Sequence, residues 1–224
     1  MTEPSDTVFL FDVDNTLLDN DRVQSDMNAH IAETYGETAR SRFWAIFEEL
    51  RHELGYADYL GALERYRLEA MHDPKLLRMA NWLVDYPFHQ RVYPRALDVV
   101  KKAQALGTTV VLSDGDAVFQ PRKVEKSGIW PVFGDNVLIY VHKELELADV
   151  ENHFPARHYV LIDDKVRILD TVKRAWGDRV TTVFPRQGHY ANDIDEVAKY
   201  PPADVTVERI GDLLDYDLAA LAKP

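Results

Sequence analysis

The chain has 224 residues, 46% of them hydrophobic, which is enough for one full-sized domain with a smaller inserted unit and excludes the disordered and fibrous classes. Its 38 acidic against 26 basic side chains give a formal charge of −12, which repels a phosphate backbone and argues against a nucleic-acid partner. The absence of cysteine excludes disulfides, thiolate metal cages and a cysteine nucleophile; with no signal-like start over Met1 to Asp6 and no apolar run near the roughly 18 residues of a membrane span, a soluble cytoplasmic protein with no membrane partner is expected.

In chain order, the first predicted element is a strand, Val8-Phe9-Leu10-Phe11. From about Asp21 to about Arg91 the pattern is helical, as in Phe43, Ile46, Phe47, Leu50 and Leu54 at spacings of three and four. Gly55 is expected to stop that helix, Asp58 to cap the next, and Asp73-Pro74 to supply a cap and a first helical proline, which makes three or four helices. Pro94 opens a helical segment carrying Leu97, Val100 and Leu106 and closing at Gly107. Strands follow at 108–112 and 137–141, then at 159–162. A helix with Val166, Leu169, Val172 and Trp176 ends before Gly177, a strand runs over 180–184, and a short sixth strand is expected at 204–207.

Unbroken apolar runs, in place of alternation, mark strands covered on both faces, so the fold class is α/β with a doubly wound parallel sheet. An all-helical block between the first two strands is an insertion. The chain therefore divides into an α/β core of residues 1–20 and 92–224 and a small helical unit of residues 21–91. Its two connections are expected to lie side by side, a geometry suited to a lid over the strand ends.

Four strand ends carry reactive side chains. The first run leads into Asp12-Val13-Asp14-Asn15, whose acids two apart face one side of an extended segment; alone, that string also suits a capped turn. The second ends Ser113-Asp114-Gly115, a hydroxyl with the N–H groups of a glycine turn, which bind anionic oxygen. The third ends at Lys143. The fourth ends Asp163-Asp164-Lys165, where the acids also suit a helix cap. All four ends fall on one sheet edge, so the pairs of carboxylates can hold Mg²⁺, while hydroxyl, turn amides and lysine neutralise phosphate oxygens. The turn from Phe184 to Tyr190 reaches the same edge, and Trp44, Arg51, Tyr56, Tyr59, Arg65 and Tyr66 of the insertion are candidates to face it.

In the order of these four motifs the sequence resembles the haloacid dehalogenase-like superfamily of phosphohydrolases, and the helical insertion is similar to the cap many members carry there. The resemblance implies an enzyme, a Mg²⁺-dependent phosphatase acting on a small phosphorylated metabolite. Asp12 would be the nucleophile, forming an aspartyl-phosphate, and Asp14 the general acid and base. Ser113, Asp114, Gly115 and Lys143 would hold the phosphoryl group. The metal would take the Asp12 carboxylate, the Asp14 main-chain carbonyl, and Asp163 or Asp164. Many members carry a further acid where this chain has Arg167, so the second metal role passes to Asp164. The alternatives are phosphomutase-type transfer, haloacid dehalogenation, against which Asp14 argues because dehalogenases lack the second acid, and a non-catalytic binding protein of the same fold.

Overall fold

In the computed structural model, which describes residues 5–222, the apolar runs form six strands. They are β1 (Ser5–Phe11), β2 (Thr108–Asp114), β3 (Val137–Tyr140), β4 (Ala156–Ile162), β5 (Val180–Pro185) and β6 (Val205–Val207). Every neighbouring pair is parallel, in the order β3-β2-β1-β4-β5-β6, which is the doubly wound α/β sheet the sequence predicts. The order reverses between β1 and β4, so the crossovers leaving these two strands diverge and open a crevice at their carboxyl ends. Residues 1–4, which entered the reading of a chain start without a signal, lie outside the described residues. Among the described residues no helix is long and apolar enough to cross a membrane.

Between β1 and β2 the chain forms α1 (Asn20–Tyr35), α2 (Glu37–Leu54), α3 (Tyr59–Glu69) and α4 (Leu76–Val84), then a short 3₁₀ turn at Phe88–Arg91. The Asp19 side chain caps α1 by accepting from the Arg22 N–H at 2.9 Å. Gly55, at φ 78°, ends α2 in the left-handed conformation that costs an L-residue energy, and Asp58 caps α3. One boundary differs from expectation. Asp73 accepts from the Lys75 N–H at 2.9 Å within a turn, and α4 starts only at Leu76, where its buried stripe of Leu76, Met79 and Leu83 begins. The chain enters and leaves this helical stretch through adjacent strands of backbone: the Asp19 N–H donates to the Arg91 carbonyl at 2.8 Å and the Tyr93 N–H to that of Leu17 at 2.9 Å.

The remaining helices cover the two sheet faces. On one lie α5 (Ala96–Gln104), α6 (Phe119–Lys126) and α7 (Trp130–Phe133), packed on Phe9, Phe11, Val111, Val160 and Ile162. On the other lie α8 (Leu147–His153) and α9 (Val166–Trp176), against Val8, Leu10, Val110, Leu112 and Leu161. The predicted start of α5 at Pro94 shifts to Ala96 because Arg95 takes the left-handed conformation at φ 65°. The apolar interior of the helical stretch, including Phe43, Ile46, Phe47 and Leu50, is continuous with the first of these layers. Phe119 of α6 joins them, with its ring 5.2 Å from that of Tyr59 and 5.7 Å from that of Phe88.

Candidate active site

The turn that follows β1 is built so that two acids stand at the sheet edge. The carbonyl of Val13 accepts from the N–H groups of Leu17 and Leu18, each at 2.9 Å. Asn15 sits at φ 58°, a region that asparagine visits at lower cost than most residues. Its Oδ1 accepts from the Asn20 and Asp21 N–H groups at 3.0 and 3.2 Å, which ties the turn to the start of α1. Gln187, beyond β5, donates from Nε2 to the Asn15 and Thr16 carbonyls at 3.1 Å each. Next to it, Gly188 opens α10 (Gly188–Asn192) at φ 72°, and a Cβ there would fall 2.4 Å from Asn15 Cγ.

Asp12, Asp163 and Asp164 converge in the crevice between β1 and β4, with one carboxylate oxygen from each within 4.8 Å of the others and all three residues buried. Lys143 brings one ammonium into this group, its Nζ 2.5 Å from Asp12 Oδ1, 2.6 Å from Asp163 Oδ2 and 3.2 Å from the Leu112 carbonyl. Burial pushes the Lys143 ammonium down, but the charges of Asp12 and Asp163 outweigh it and hold the group well above its ordinary value. Burial pushes both Asp163 and Asp164 up, against the opposing pull of Lys143 and Lys165.

The oxygen inventory of this group is incomplete. Asp163 Oδ1 accepts from the Lys165 N–H at 2.9 Å, whereas Asp163 Oδ2 has its ion contact with Lys143 but no hydrogen bond. Asp12 Oδ2 and both oxygens of Asp164 are buried with no hydrogen-bond partner. Orphaned charged acceptors are costly in a dry interior, on the order of several kcal/mol for an ion. Three carboxylates against the charges of Lys143 and Lys165, with oxygen donors only, form a donor set that fits a hard divalent cation such as Mg²⁺.

Asp14 stands apart from this trio. Its two oxygens lie 2.7 and 2.8 Å from Nζ of Lys123, a residue of α6 only 1% exposed that also donates to Asn20 Oδ1 at 3.0 Å. Gln120, one helical turn earlier, donates to Ser113 Oγ at 2.9 Å and reaches Asp14 Oδ2 at 3.4 Å. Sequence reasoning missed both residues. Their signal was a pair of polar side chains three apart in the first helix after β2, on the face turned toward β1.

The turn after β2 is occupied differently from expectation. The Gly115 N–H, expected among the anion-binding amides, donates to the Tyr140 carbonyl at 2.8 Å. The carboxylate of Asp114 accepts the Lys143 N–H at 2.8 Å, so this turn anchors the segment that carries Lys143. Ser113 is 1% exposed beneath Gln120. Arg167, where the resemblance implied a further acid in other members, pairs at 2.6 Å with Glu144, while Asp164 joins the buried trio.

A cleft of about 410 Å³ opens here, lined by Asp14, Asp114, Gly115, Gln120 and Lys123 of the sheet edge and α6, and by Lys165 and Arg167. Of the candidates in the helical stretch, Arg51, Tyr56 and Tyr59 line it. The others are used elsewhere: Arg65 pairs with Glu53 at 2.6 Å, while Trp44 and Tyr66 pack against the hydrophobic core. Tyr190 of α10 closes one side and takes a 2.9 Å hydrogen bond from Arg51 Nη2.

A carboxylate-lined crevice at the switch point of a doubly wound sheet, entered beneath a helical insertion, defines a hydrolase of the haloacid dehalogenase-like class. The chain belongs to that family: its model, described as haloacid dehalogenase-like hydrolase, matches residues 7–153, and a haloacid dehalogenase-like hydrolase of Burkholderia xenovorans LB400 is 61% identical. That alignment covers 96% of this chain and 100% of the other, with a TM-score of 0.91. The fold is shared with more distant structures. The magnesium-bound HAD-hydrolase YfnB of Bacillus subtilis is 14% identical, over 95% of this chain and 98% of that one, with a TM-score of 0.63. The L-2-haloacid dehalogenase of Xanthobacter autotrophicus is 19% identical over 92% and 96%, with a TM-score of 0.61. No curated protein matches the chain.

Proposed function

We propose that the protein is a Mg²⁺-dependent phosphatase that removes phosphate from a small phosphorylated metabolite through an aspartyl-phosphate on Asp12. The observation that carries this reading is the set of buried, partnerless oxygens on Asp12 and Asp164 beside Asp163. Asp12, Asp163 and Asp164 would hold the cation, with the Asp14 carbonyl as a further oxygen donor. When bound, Mg²⁺ supplies positive charge that lets an anionic carboxylate approach an anionic phosphate.

The residues themselves divide the remaining work. Lys143 grips Asp12 Oδ1 and so fixes the orientation of the carboxylate that would attack phosphorus. Asp14, partly exposed at the cleft, is placed to protonate the leaving oxygen and then to take a proton from water, a role worth about 10²–10⁴-fold. Ser113 and Gln120 stand together behind Asp14 as neutral donors for phosphoryl oxygens. Residues 21–91 act as a separate lid unit on the core of 1–20 and 92–224, hinged at the paired crossings and excluding water from the site.

Phosphate release from p-nitrophenyl phosphate, with Mg²⁺ and after EDTA treatment, tests the reading. Turnover that needs Mg²⁺ and labels Asp12 with phosphate is the expected result. Equal activity in EDTA, or faster turnover of chloroacetate than of any phosphate ester, overturns it.

A further inference from the structure

Arg51 differs from Lys123 and Arg167 of the cleft in having only a long, exposed contact with an acid. Lys123 is bound to Asp14 and Arg167 to Glu144. Lys165 lies over the Tyr190 ring, 5.1 Å from its centroid, with the charge of Asp164 exerting the strongest acidic pull on it. Arg51 reaches Glu48 only at 3.4 Å, with both side chains well exposed, an arrangement of little energetic worth. Its Nη2 rests on the neutral hydroxyl of Tyr190.

The position of Arg51 is fixed by the helix that carries it. Four residues on, α2 ends at Gly55, whose backbone lies so close to His142 that a Cβ would fall 2.8 Å from that ring. The α2 end is thus seated on the loop after β3, and Arg51, one turn earlier, lines the same cleft as Asp14 of the sheet edge. Tyr56, Tyr59 and Phe119 supply further aromatic wall to this cleft. A guanidinium fork matches the paired oxygens of a carboxylate or phosphate, and a phenol hydroxyl can donate to the same group.

We propose that Arg51 and Tyr190 form a second anion subsite, so that the preferred substrate is a phosphate ester whose organic part carries a remote oxyanion. This rests on the phosphatase reading. The cleft volume of about 410 Å³ confines that organic part to the size of a small metabolite.

The test compares, on the full-length Mg²⁺-loaded protein, simple alkyl phosphates of two to five carbons with the matching ω-phosphooxy carboxylates and alkane bisphosphates. The wild type is expected to prefer at least one acid-bearing series by about 10-fold or more in kcat/KM, chiefly through KM, the scale of a hydrogen bond to a charged group. The carboxylate and bisphosphate arms show which oxyanion is taken. Arg51→Met should bring that ratio close to one, and Arg51→Lys should restore part of it. Tyr190→Phe removes only the hydroxyl and should lower the ratio by about 2- to 10-fold, so the proposal stays testable if Arg51→Met melts early. A wild-type ratio near one in every series, or a ratio that survives Arg51→Met, overturns the subsite and leaves the phosphatase reading standing. Failure of all esters, alkyl and acid-bearing alike, overturns both.

Discussion

Three lysines and four acids make up the charge balance of the site, and Lys143 and Lys123 have distinct tasks. Lys143 is enclosed with Asp12 and Asp163, whereas Lys123 holds Asp14 by both oxygens. Asp12→Asn keeps the shape and removes the attacking charge, so phosphate release should fall to background while the melting curve of the protein persists. Asp14→Asn should still form phosphoenzyme from esters with good leaving groups, but lose about 10²–10⁴-fold in turnover; quench-flow of p-nitrophenyl phosphate against an alkyl phosphate reads the difference. Lys143→Met leaves buried carboxylates without their cation. It should cost about 3–5 kcal/mol, seen as a lower melting temperature by calorimetry, and added Mg²⁺ should recover more stability in this variant than in the wild type.

At the scale of elements, the site depends on contacts that cross from the helical stretch and from α10 to the β1 turn. Gly188 meets Asn15 where a Cβ would stand 2.4 Å from its Cγ, at a φ of 72°. Gly188→Ala therefore faces both a left-handed backbone and a clash, and should lose more than about 1 kcal/mol together with most activity, since Asn15 sets the turn that presents Asp14. Circular dichroism melts and phosphate release check the two effects separately. Replacing residues 21–91 by a short Gly-Ser loop should leave a core that binds Mg²⁺, read as a thermal shift, but loses the wild-type ranking of substrates. Phe119, 2% exposed and packed on Tyr59 and Phe88, would then face water, so size-exclusion chromatography should show association of this core unless Phe119 is also made polar.

For the whole molecule, folding places acidic groups in environments of opposite sign, and stability follows pH accordingly. Asp204, just before β6, is partly buried, which raises its carboxyl; the Thr182 N–H and Lys173, with the Thr182 hydroxyl, outweigh this and hold it below its ordinary value. A lowered folded value means that the stabilisation is complete above the unfolded carboxyl's value, about 4, and is lost as pH falls through the folded one. Asp204→Asn should therefore lower the melting temperature at pH 7 and change it less near pH 3. An equal loss at both would place the role of Asp204 in shape alone.

Periodicity and chemistry along the chain determined most of the architecture. A parallel, doubly covered sheet follows from runs such as Tyr159-Val160-Leu161-Ile162, because strands flanked by helices on both sides need apolar residues at successive positions. The helical insertion follows from the spacing of Phe43, Ile46, Phe47 and Leu50, and the acids at the ends of β1 and β4 from their place after those runs. These are local signals, readable wherever a residue's neighbours in sequence decide its conformation. Only the tertiary structure decided how the acids are shared. It took Asp12, Asp163 and Asp164 into one buried trio and turned Asp14 toward Lys123, 109 residues away in the chain. It committed the Gly115 amide to β3 and brought Arg51 against Tyr190 across 139 residues. Such pairings depend on which helix face a crossover lays against the sheet edge, and a single charged side chain in a one-dimensional pattern carries no record of its partner.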